Sequence, residues 1–212
     1  KLNPVRVRFV RDCLSGHFGR DPIATDPLAN ISVLDVGCGG GLMSEPLCRL
    51  GAAMTSIDAG DETVEVARSH AMRNDLGIAY RQATPEVLAE EHLSFDAVMS
   101  LEVIEHVPDV NAFLAAVASL VKPGGALVLG TLNRTLKSLA LAKIGAEYVL
   151  RWVPAGTHEW KKFVRPSELA NGLRPHSMTL REIKGVSYSP LEDEWSLSRD
   201  MDVNYLAYFT KD

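Results

Sequence analysis

Val33-Leu34-Asp35-Val36-Gly37-Cys38-Gly39-Gly40-Gly41 is an apolar, β-branched run that stops at closely spaced glycines. Such a run reads as a short buried strand, and the glycines let the backbone turn tightly and approach a ligand with no side chain in the way. The strand is expected over Ile31–Val36, with a helix following from Met43 to Leu50. Strand-like stretches at Ala53–Ile57, Ile78–Arg81, Phe95–Ser100 and Ala126–Leu132 then alternate with helical ones at Asp61–Asn74, Pro85–Glu90 and Asn111–Leu120. Lys122-Pro123-Gly124-Gly125 forms a sharp turn before the last of these strands. Upstream, Asn3-Pro4 is a helix start, and an apolar stripe carries that helix to Gly16. This alternation predicts an α/β fold, a mostly parallel, doubly wound sheet of Rossmann-like type with helices on both faces. Past residue 134 it stops. A short helix at Pro166–Ala170 precedes two strand-like runs, Thr179–Ser187 and Val203–Phe209, expected to pair antiparallel at one end of the sheet.

The chain has 212 residues, 46% hydrophobic and 23% charged, which predicts one globular domain over 1–212 with an insertion at 134–165. A net charge of −5 speaks against nucleic acid as a bulk partner. Cys13, Cys38 and Cys48 have neither CxxC nor metal-ligand spacing, a usage that suits a reducing compartment. No apolar run reaches the roughly 20 residues of a membrane span. The first residue is Lys1 rather than Met, so an upstream segment is expected and no targeting peptide can be read.

Asp58, 21 positions after Gly37, ends the second strand. A carboxylate there accepts hydrogen bonds from both ribose hydroxyls of an adenosine ligand. The dinucleotide fingerprint needs Gly or Ala three residues after its second glycine. Counted from Gly37 and Gly39 that position is Leu42, and counted from Gly39 and Gly41 it is Ser44. The pattern here is D-x-G-x-G-x-G, and Asp35 puts a carboxylate inside the loop. That charge would repel a pyrophosphate, whereas it suits the ammonium group of S-adenosylmethionine, which has no phosphate.

Taken in order, Val33–Gly41, Asp58, Phe95–Leu101 and Lys122-Pro123-Gly124-Gly125 make the chain resemble the class I S-adenosylmethionine-dependent methyltransferases. It is more similar still to one branch, the ubiquinone-biosynthesis O-methyltransferases. Leu2–Arg6, Leu101–Val107, Leu132-Asn133-Arg134, Val153–His158, Lys162-Phe163 and Asp202–Tyr205 carry that likeness over nearly the whole chain. The resemblance implies that Arg6, Gly37, Asp58 and Leu101 contact the cofactor, with Asp35 and Gly39 in the same loop. Arg6 would pair with the methionine carboxylate. It also implies a polyprenyl quinol or polyprenyl catechol as substrate, and other proteins of that pathway as partners.

Glu102, Glu105 and His106 follow the fourth strand. On a helix their spacing would put all three on one face. Two carboxylates and an imidazole could hold a divalent cation, Mg²⁺ first with Zn²⁺ or Mn²⁺ as alternatives. Such an ion would stabilise a phenolate, since a free phenol has a pKa near ~10. His106 as general base, or a purely structural role for the group, are the competing readings.

Residues 134–165 hold seven basic residues against two acidic ones, with Leu, Trp and Tyr interleaved. Such a stretch suits an interfacial helix on an anionic membrane, or a lid over the active site packed by its own apolar face. The expected location is cytoplasmic and peripheral on the inner membrane face, or the matrix side if the source is eukaryotic. The rival functions are methylation of a soluble catechol by the same donor, and a non-catalytic nucleoside-binding module.

Overall fold

The computed structural model describes residues 2–140 and 160–212. The insertion expected at 134–165 therefore falls largely outside the described residues. Five strands alternate with helices over the first two thirds: β1 Ser32–Val36, β2 Ala53–Asp58, β3 Ala79–Gln82, β4 Phe95–Leu101 and β5 Val121–Leu132. The helices are α1 Asn3–His17, α2 Ser44–Arg49, α3 Asp61–Arg73, α4 Pro85–Glu90 and α5 Val110–Ser119. Beyond β5 come α6 Leu136–Ser138, α7 Pro166–Leu173, and strands β6 Met178–Ser189, β7 Glu194–Ser198 and β8 Asn204–Lys211.

All eight strands join one sheet in the order β3-β2-β1-β4-β5-β8-β6-β7. β1 to β5 pair in parallel, and β8 inserts antiparallel between β5 and β6. The expected antiparallel pair is thus β6 and β8, and the class is the one the alternation predicts. Two details differ. The turn-rich stretch between those strands contains a further edge strand, β7, on β6. The Lys122–Gly125 turn lies inside β5, where the register on β4 jumps from Phe95↔Val121 to Ala97↔Ala126.

Successive strand residues face opposite sides, so each central strand feeds two cores. Leu34 and Val36 pack with α4, α5 and α7 through Leu88, Phe113, Leu114 and Leu169. Val33 packs on the other face with Val5, Phe9 and Val10 of α1 and Leu47 of α2. Asp35 shares that second face by alternation. The strand order reverses between β1 and β4, so the crevice of a doubly wound sheet lies at the C-terminal ends of these strands.

Candidate active site

The loop after β1 is pinned from two sides. The amides of Gly37 and Cys38 both donate to the Ile57 carbonyl on β2, at 2.8 and 3.0 Å. Asp58, at the end of β2, accepts from Gly39 N at 3.0 Å through Oδ2 and from Gly60 N at 2.9 Å through Oδ1. One carboxylate therefore ties the glycine loop to the start of α3. Glycine is required here for two physical reasons. Gly37 and Gly41 sit at φ +76° and +81°, where a side chain is strained, and a Cβ would collide with Val103 at the first and with the Tyr80 hydroxyl at the second. Cys38 between them is buried, and burial raises its thiol to about 12, so it is no nucleophile at neutral pH.

Asp35 is 3% exposed and lies beneath the loop. Its Oδ2 accepts from Ser44 Oγ at 2.6 Å, and Ser44 Oγ in turn accepts from Ser56 Oγ at 2.9 Å. Burial pushes its pKa up to about 7; the Ser44 hydrogen bond opposes the shift and the nearby Asp58 charge adds to it. Sequence reasoning finds Asp35 but not this serine relay, because Ser44 and Ser56 belong to no spaced motif.

Across the crevice, β4 ends at Leu101, as expected, and the chain turns sharply. Glu102 adopts φ +63° and donates its amide to the Gly130 carbonyl at 2.8 Å. The segment from Glu102 to His106 is a turn rather than a helix, so the condition under which their spacing would put the three side chains on one face is not met. A left-handed residue at its start and Pro108 at its end both work against helical geometry. Glu105 is 3% exposed and accepts from Thr131 Oγ1 at 2.9 Å, while its Oε1 is buried with no hydrogen-bond partner. Burial first, and the Glu102 charge second, lift its pKa to about 7. Glu102 forms an ion pair with Arg6 of α1, and His106 is exposed. The structure brings together Glu102, Glu105 and Arg6, and His106 stands exposed on the same turn. Among the described residues no three His, Cys, Asp or Glu side chains are grouped as a metal-ligand set. Thr131, which fixes Glu105, was not singled out from the sequence; it stands 26 positions away on the neighbouring strand, and only the sheet pairing connects them.

A glycine loop and an acidic strand end at the reversal of a doubly wound sheet, with an antiparallel strand beyond β5, define a class I S-adenosylmethionine-dependent methyltransferase. Residues 34–129 match the family described as Methyltransferase domain. Among solved structures the chain is similar in fold to magnesium protoporphyrin IX methyltransferase from Synechocystis PCC 6803 with bound SAH. The TM-score is 0.67 at 20% identity, covering 98% of this chain and 85% of that one. More specific likenesses come from sequence. The chain is 52% identical over 207 residues to a ubiquinone biosynthesis O-methyltransferase of Parvibaculum lavamentivorans, covering 98% of this chain and 82% of that protein. It is 51% identical over 212 residues to a protein of the same name from Caulobacter vibrioides, covering 100% and 84%. The chain belongs to the ubiquinone biosynthesis O-methyltransferase family.

Proposed function

We propose that this methyltransferase moves the methyl group of S-adenosylmethionine to a phenolic hydroxyl of a polyprenylated catechol on the route to ubiquinone. The observation that carries the reading is the pair of facing walls at the sheet reversal. One wall is the loop held by Asp58, the other the acidic turn after β4, and α1 bridges to that turn through Arg6 and Glu102. The O–CH₃ bond forms as the S–CH₃ bond breaks, the electron pair returns to sulfur, and the phenol proton leaves to a base. Gly37, Gly39, Asp58 and Leu101 form the adenosine side, Asp58 taking the ribose hydroxyls while still bonded to the loop amides. Arg6 takes the methionine carboxylate, and Asp35 acts on the ammonium group from below the loop.

Glu102 and Glu105 serve the substrate side. Carboxylate oxygens suit a hard divalent cation such as Mg²⁺, and the unpaired, buried Glu105 Oε1 is an acceptor that a cation would satisfy. When bound, the ion would stabilise the phenolate form of the catechol. His106, exposed at the same turn, is assigned as the base that takes the phenol proton.

No helix among the described residues is long and apolar enough to cross a membrane. The basic, apolar composition of residues 134–165 supports peripheral contact with an anionic bilayer, where a polyprenyl substrate resides. The testing experiment is transfer of labelled methyl from S-adenosylmethionine to catechols with and without isoprenoid tails.

A further inference from the structure

Next to the acidic turn lies a cavity of about 370 Å³ between α5 and the segment 161–164. Its floor is apolar: Ile104, Val107, Val110, Leu114, Phe163 and Val164. Ile104 and Val107, which line it, flank Glu105 and His106 directly in the chain, so the cavity lies beside the turn that carries them. Its outer edge is polar. Arg134 pairs there with Glu168 and donates to the Lys161 carbonyl at 3.1 Å. These contacts, together with the bond from Val164 N to Leu132 O at the end of β5, hold the segment 161–164 beside the sheet. The volume lies within the ~300–1,000 Å³ range of small-molecule sites. The adenosine side of the crevice is lined by the glycine loop and Asp58 instead, so the cofactor does not claim this space.

We infer that this groove is the subsite for the first isoprene units of the substrate's tail, which makes it the part of the protein that distinguishes prenylated catechols from soluble ones. The inference rests on the catechol reading above. Three features point to an isoprenoid chain. The groove has branched aliphatic walls with one aromatic ring, it lies beside the turn that carries Glu102 and Glu105, and its charged groups are gathered at one rim. A small polar ligand would find no polar partner on that floor, because the charged groups, Arg134, Lys161, Lys162 and Glu168, are confined to the rim.

Asn111 lines the groove at the exposed start of α5, and only its backbone amide serves the helix cap on Asp109. Asn111→Trp therefore fills the mouth without touching the fold or the assigned site residues; Val110→Phe narrows the middle from a half-buried position. Catechols carrying no tail, one, two or three isoprene units are titrated by calorimetry into protein loaded with S-adenosylhomocysteine. Affinity for the product cofactor first verifies that each variant is folded. Wild type is expected to bind the one-unit catechol about tenfold more tightly than the tail-free one, with a further gain at two units and little at three. Both variants should bind the tail-free catechol within twofold of wild type and lose most of the gain from the tail. Equal affinity for all four ligands, or an intact gain in both variants, overturns the subsite. Because the readout is binding, tail-dependent affinity without turnover would refute the catechol reaction while the subsite stood.

Discussion

Asp35→Asn should stabilise the protein without its cofactor, and only above acid pH. The carboxyl is fully buried, and its pKa rises from 3.8 to about 7. The folded protein therefore binds more protons than the unfolded chain between about pH 4 and pH 7, and the slope of stability with pH is negative across that window. Below it the carboxyl is neutral in both states and costs nothing. Above it, a displacement of about three units at ~1.36 kcal/mol each sets a ceiling of about 4 kcal/mol on the destabilisation. Asparagine keeps the shape and an oxygen to accept from Ser44, yet never ionises; its amide hydrogens need new partners, at a cost of about 1–3 kcal/mol. A net gain near 1–2 kcal/mol at about pH 8 is expected. The assay is urea unfolding of wild type and variant at half-unit steps from about pH 5 to pH 8. Glu105 titrates in the same range in both proteins and cancels in the difference. A difference curve that is flat with pH would refute the reasoning whatever its sign, since the buried charge would then have no differential cost. The same variant should bind S-adenosylmethionine more weakly, because the charge that destabilises the free protein is the one assigned to the cofactor's ammonium group.

Asp58→Ala removes the ribose acceptor and also frees the amides of Gly39 and Gly60, so S-adenosylhomocysteine affinity should fall by about 2–4 kcal/mol. A calorimetric affinity within twofold of wild type would contradict that assignment. Stripping divalent ions with EDTA should lower turnover at least tenfold while leaving S-adenosylhomocysteine affinity nearly unchanged; full activity in protein shown metal-free by elemental analysis removes the ion from the account. The protein should co-sediment with anionic vesicles more than with neutral ones, and added salt should weaken the association. Gln at Lys143, Arg151, Lys161 and Lys162 should reduce that binding, and vesicle binding equal to wild type would leave the 134–165 stretch with no membrane role.

The centre of the sheet was legible in the sequence because β1, β4 and the second half of β5 are apolar runs next to turn signals, and parallel strands buried on both faces need no other cue. Asp35 and Asp58 were legible for a related reason: both sit at fixed offsets from the glycines. What spacing did not reveal lies where tertiary contacts override local pattern. Glu102, Glu105 and His106 have helical spacing, yet the backbone leaves helical space at Glu102 to bond Gly130, and Glu105 turns inward to Thr131. Arg6 was assigned to a cofactor carboxylate by resemblance; in the structure its guanidinium meets Glu102, 96 positions away, a contact that only the folded crevice creates. β7 hid among turn residues because only Trp195 and Leu197 mark its alternation, at the sheet edge where one strand face is wet. Asp35's depth was equally invisible, since a carboxylate in a loop motif reads as solvent-facing until Ser44 and Ser56 close over it.

The most direct test of the whole account is a single-turnover measurement with methyl-labelled S-adenosylmethionine and a diprenylated catechol, in the presence of Mg²⁺, followed by identification of the labelled product. The account predicts label on one phenolic oxygen and S-adenosylhomocysteine in equal amount, and at least a hundredfold slower transfer when Glu102 and Glu105 are both replaced by Gln. Label on carbon or nitrogen, or transfer unaffected by the double replacement, would contradict it.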